Sequence, residues 1–62
     1  MIIEPEQVAV LNEYNVEISE DVNETLLALD DKIIEIGLNR DYSPNKVGIK
    51  LQKLYDQLYN QN

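Results

Sequence analysis

The sequence predicts an all-α fold: a small three-helix bundle, built on an antiparallel helical hairpin, that fills residues 1–62 as a single domain. Three observations carry this expectation. Apolar residues recur every three or four positions through two long segments. Residues that start and stop helices bracket those segments. The chain has no Cys and no His, so neither a disulfide nor an ordinary zinc site can staple so short a domain. Helix packing and association remain.

The first helix is expected over about residues 5–14. Pro5 suits the first helical position, where its missing N–H would be unpaired anyway. Glu6 complements the positive end of the helix dipole. Val8 and Leu11, with Tyr14 as a third member, form a short apolar stripe, and Asn15 tolerates the left-handed conformation that ends helices. A β-hairpin competes for residues 5–18, because Val8, Val10, Tyr14, Val16 and Ile18 nearly alternate. Asn12 interrupts that alternation and no Gly marks a turn. "NVEIS" is read as an extended link, with Val16 and Ile18 pointing inward.

The second helix is expected over about 20–36, with Ser19 as its N-cap and Gly37 at its end. Val22, Leu26, Leu29, Ile33 and Ile36 lie within ~40° of one line. The third helix is expected over about 44–59, started by Ser43 and Pro44. Val47, Leu51, Leu54 and Leu58 give it a matching seam. The tail "NQN" is expected to fray. The two seams should pack antiparallel, each buried side chain contributing about 1.5–3 kcal/mol before entropy is subtracted. Gly48 costs about 1 kcal/mol of helix propensity relative to Ala, which a close helix approach would explain.

The second helix has more apolar surface than one neighbour covers. Leu27, Ile34 and Leu38 form a second stripe, rotated by roughly 120–160° from the first. Either the first helix and link shield it, or another chain does.

Charge is distributed unevenly. The net charge is -7. Residues 1–31 hold nine acids (Glu4, Glu6, Glu13, Glu17, Glu20, Asp21, Glu24, Asp30, Asp31) and no Lys or Arg. The remaining residues hold all five bases and three acids. Glu20, Glu24, Asp31 and Glu35 lie within ~60° of one another on the second helix, as an acidic ridge opposite its first seam. A solvated face accounts for such a ridge; so does attraction of a basic partner. Lys46, Lys50 and Lys53 form a basic strip on the third helix, read as neutralising the second helix's acids. A phosphate-contacting role would suit a more positive surface.

No constellation for catalysis is present. Adjacent carboxylates such as Asp30 and Asp31 point ~100° apart on a helix and do not converge on one atom. No His or Cys serves as base or nucleophile, and the two glycines, Gly37 and Gly48, form no phosphate-binding loop. No calcium-loop spacing occurs. No cofactor and no metal are therefore expected. "LQKLYDQLYN" resembles the second-helix rhythm of the small two-helix aspartyl-phosphate phosphatases of sporulating bacteria, with Asp56 on the Asp of their Ser-Gln-x-Leu-Asp run. Gln52, Lys53 and Tyr55 stand where that run has Ser, Gln and Leu. The likeness covers about a dozen residues, and no activity is carried over from it.

The functional expectation is a non-catalytic, cytoplasmic, small acidic binding module: a regulator or inhibitor of the antitoxin, immunity or anti-defence type. Glu20, Glu24, Asp31 and Glu35 would attract a basic protein, and Leu27, Ile34 and Leu38 would supply apolar contact. The alternatives are a homodimer sealed over the second stripe and a small DNA-binding regulator using the Lys strip; nucleic acid is the less favoured partner. No apolar run or leader indicates a membrane. Abundant Asn, Ile, Tyr and Glu suit an AT-rich bacterial or phage gene.

Overall fold

A computed structural model describes all of residues 1–62. Three helices follow one another: α1 (Pro5–Glu13), α2 (Val22–Ile36) and α3 (Lys46–Gln61). No strand forms; the β-hairpin alternative for residues 5–18 is replaced by α1 and its link. Helices α2 and α3 make the antiparallel hairpin, and α1 lies against it, giving a body of 34 × 20 × 19 Å.

Helix α1 starts at Pro5, as its sequence requires, and Gln7 Oε1 accepts the Glu4 N–H at 2.8 Å. Its end is a Schellman motif. Asn15 is left-handed (φ 58°), its N–H donates to Asn12 O, and the Val16 N–H donates to Leu11 O at 2.8 Å. The hydrophobic contact that accompanies this motif is provided by Leu11 and Val16, both buried in the core.

Helix α2 begins two residues later than expected. Asp21 is the N-cap, its Oδ1 accepting the Asn23 N–H at 2.9 Å. The reason lies in Thr25, which is fully buried. Its hydroxyl accepts the Ser19 N–H at 2.9 Å and lies within donating distance of Ser19 O and Asp21 O. Ser19 thus has its backbone committed to a side chain rather than to a helical turn. Its hydroxyl accepts the Asp21 N–H and donates to Glu24 at 2.7 Å. Val16 points inward as expected, whereas Ile18 stays 37% exposed.

The connection after Gly37 is a miniature hairpin. Leu38 and Pro44 bridge, the Asn39 N–H donates to Ser43 O at 2.7 Å, and the Tyr42 N–H donates to Asn39 O. Tyr42 occupies the left-handed position at its tip (φ 66°). Helix α3 therefore starts at Lys46 rather than Pro44. Asn45 is its N-cap, accepting the Gly48 N–H at 2.8 Å while its amide donates to Ile36 O at 2.9 Å. One side chain thereby satisfies orphan groups of two helix ends.

The core is Leu11, Val16, Leu26, Leu29, Ile33, Leu51, Leu54 and Leu58. The centres of both expected seams are buried; Val22 and Val47 are half-buried, and Ile36 is 39% exposed. Gly37 and Gly48 set the helix crossing. A Cβ on Gly37 would stand 2.8 Å from the Gly48 Cα, and a Cβ on Gly48 would collide with the Gly37 carbonyl oxygen. Backbone meets backbone there, and only glycine fits on either side.

The tail is ordered, contrary to expectation, because amides clamp it. The Ile2 N–H donates to Asn62 Oδ1 at 2.7 Å, and Asn62 Nδ2 donates back to Ile2 O at 3.0 Å. Gln7 and Gln61 exchange amide hydrogen bonds at 2.8 and 3.1 Å. Gln7 is 6% exposed, so this pair ties α1 to α3 in a place where an unpaired amide would be costly.

Candidate functional site

The second apolar stripe of α2 is not covered by α1. Leu27 is 66% exposed and Ile34 61%. Thr25 faces the link, so α1 and the link occupy the side of α2 away from this stripe. Leu38 behaves differently: it is half-buried, held by its bridge to Pro44.

Leu38 lines a shallow groove of about 470 Å³ at the α2–α3 turn. Its apolar lining comes from Ile33, Leu38, Pro44 and Ile49 beside Gly48, with Lys53 and Asp56 among its polar residues. Ile49 is 59% exposed. Nothing in the sequence periodicity marked this residue, since it lies off the apolar seam of α3; only the turn geometry brings it beside Leu38.

The acidic ridge is reshaped. Glu24, Asp31 and Glu35 are exposed on α2, but Glu20 precedes the N-cap and leaves the helical line. It borders a separate depression with Met1, Ile3 and Ile18. Glu24 is hydrogen-bonded to Ser19, and Glu35 pairs with Lys32 at 3.1 Å, three residues before it. Asp31 has no ion pair or side-chain hydrogen bond. Asp30, on the other flank of the Leu27–Ile34 line, is exposed and equally free.

Basic residues do not neutralise α2 across the bundle, as the sequence suggested. Lys50 turns to α1, pairing with Glu13 at 3.6 Å and lying 5.6 Å from the Tyr14 ring centroid. The Lys32 and Lys50 pairs are the only salt bridges, and both are partly solvated, so each contributes about 1 kcal/mol or less. The result is a molecule polarised along its length. The end where residues 1–6 and 17–24 gather carries Glu4, Glu6, Glu17, Glu20, Asp21 and Glu24 with no Lys or Arg. The N-termini of α1 and α2 lie there, with dipoles that favour that charge, beside the C-terminus of α3, whose dipole opposes it.

One carboxyl is clearly perturbed. Asp41 in the turn accepts the Ser43 hydroxyl at 2.6 Å and the Ser43 N–H at 3.1 Å, and these bonds hold it below its ordinary 3.8. This fastens the turn; nothing about it suggests chemistry. No three His, Cys, Asp or Glu side chains are grouped to hold a metal ion. No helix is long and apolar enough to cross a membrane.

The chain matches no known family model, no curated protein and no solved structure. What the fold defines is a small all-α bundle with an uncovered helix face.

Proposed function

We propose that the protein is a non-catalytic binding module whose α2 outer face engages a basic protein, as a small acidic regulator or inhibitor of the antitoxin, immunity or anti-defence type. The observation that carries the reading is the exposure of Leu27 and Ile34, two turns apart on one side of α2 and flanked by Asp30, Asp31 and Glu24. Apolar side chains this open bury little against the core, and the acids around them favour a cationic neighbour.

The test is capture from cells that make the protein, with wild type beside the Glu24→Lys, Asp31→Lys double variant. The reading expects a basic partner that wild type holds, that elutes with salt, and that the variant loses. Partners unchanged by the variant would refute it. A second copy over the same stripe is the rival. It would bring Asp30 and Asp31 of two chains together, each chain at -7. Light scattering after size exclusion should accordingly show a monomer at micromolar concentration.

A further inference from the structure

Resting on that reading, we infer that the partner presents a basic amphipathic helix, which lies along α2 and places one apolar side chain in the groove between Leu38, Pro44 and Ile49.

The track comes first. Leu27 and Ile34 stand on the side of α2 away from the link. Leu38, four residues after Ile34 and just past the end of α2, lines the groove at the α2–α3 turn. From Leu27 to Ile36, the last residue of α2, the rise is about 14 Å, between two and three turns of a docked helix. Exposed Ile49 completes the groove from α3. Leu27 and Ile34 thus form an apolar line on α2, and the groove lies at the α2–α3 turn past the helix's C-terminal end, an arrangement suited to anchors at helical spacing.

The backbone of the occupant is the second argument. An extended segment that binds by strand addition needs an exposed strand edge to pair its N–H and C=O groups. This fold offers none: its sole bridge, Leu38 with Pro44, is internal to the turn. A helix satisfies its own backbone and asks only for side-chain contact.

Charge selects the occupant's sign. Asp31 and Glu24 flank the path on one side of α2, and Asp30 flanks it on the other; Asp56 borders the groove from α3. Lys53 is the one cation at the groove. A helix with Lys or Arg on both sides of its apolar line meets opposite charge along both flanks, whereas an acidic helix or a second copy of this chain meets like charge.

The probe is a synthetic Leu/Lys helix of about 18 residues, ~27 Å long. Its controls are a Leu/Glu analogue and a Leu/Lys peptide of the same composition with alternating pattern. Amide shift perturbation on labelled protein at low salt should give saturable changes along α2 and across 38–49 with the Leu/Lys helix alone. Ile49→Asp, at a position open enough to leave the fold intact, should weaken binding by ~10-fold or more. Glu24→Lys with Asp31→Lys should weaken it comparably. Loss with the charge variant but not with Ile49→Asp would overturn the groove while keeping the acidic-face reading. Insensitivity to both variants, or equal binding of the alternating peptide, would overturn the helical occupant.

Discussion

Replacing Gly48 with Ala puts the helix crossing to a direct test. On propensity alone the change should help, since Ala is favoured over Gly by about 1 kcal/mol in a helix interior. The structure reverses that sign. The new methyl would overlap the Gly37 carbonyl oxygen, with the Gly37 carbonyl carbon at 2.9 Å and its Cα at 3.1 Å. All three are backbone atoms, so no rotamer change relieves the overlap. Either α2 and α3 separate, loosening Ile33 against Leu51, or the turn shifts and strains the Asn45 bond to Ile36 O. Overpacking of this kind costs about 1–3 kcal/mol, and more where backbone must move. Because backbone must move here, the upper end of that range applies, about 3 kcal/mol, and set against the propensity gain of about 1 kcal/mol a net loss of ~2 kcal/mol is expected. In so small a domain each kcal/mol moves Tm by roughly 4–8 °C, so Tm should fall by roughly 8–16 °C. Thermal melts followed by far-UV circular dichroism measure this, with Gln52→Ala on the exposed face as a control expected to stay within ~0.5 kcal/mol. A Gly48→Ala protein as stable as wild type, or more so, would refute the close crossing.

Other perturbations follow from the same packing. Thr25→Val preserves shape but strips the Ser19 N–H of its acceptor, so urea unfolding should show a loss of about 1–3 kcal/mol. Tyr42→Gly relieves a left-handed residue that is 82% exposed, and it should be neutral or stabilising by up to about 1 kcal/mol in the same assay. Asp41 has a folded-state pKa lowered below 3.8. Its stabilising contribution is therefore present above the unfolded value and is lost as pH falls through the folded one. Carboxyl chemical shifts should show Asp41 titrating below 3.8, and Ser43→Ala should move the midpoint up.

The helices were legible because their chemistry is local. Leu26, Leu29 and Ile33 repeat at the helical period, and so do Leu51, Leu54 and Leu58; Pro5 and Asn15 mark α1 by backbone preference alone. Gly48 was readable as well, since a glycine inside a good helix costs stability unless something comes close. Helix starts were misplaced where a tertiary hydrogen bond outbid a capping preference: Thr25 holds Ser19 out of α2, and Asn45 starts α3 after the Leu38–Pro44 bridge has used the residues that signal a start. The amide clamp was invisible, because Gln7, Gln61 and Asn62 carry no period and meet across more than fifty positions of sequence. On the surface, the excess apolar stripe was legible, but its fate depended on where α1 would lie. Glu20 was assigned to the ridge by projecting a helix that begins only after it, and Ile49 was missed because grooves at turns have no linear signature.

Within this chain the outer side of α2 is bare, and its apolar side chains contribute little to holding the bundle together. Denaturation of Leu27→Gln and Ile34→Gln proteins, each made separately, measures that contribution, because Gln keeps helix propensity and removes only the apolar surface. Each change is predicted to shift unfolding free energy by no more than about 0.5 kcal/mol, as for other surface substitutions. A loss of about 2–5 kcal/mol at either position, the size found for buried aliphatic side chains, would mean that something covers this face and would contradict the account.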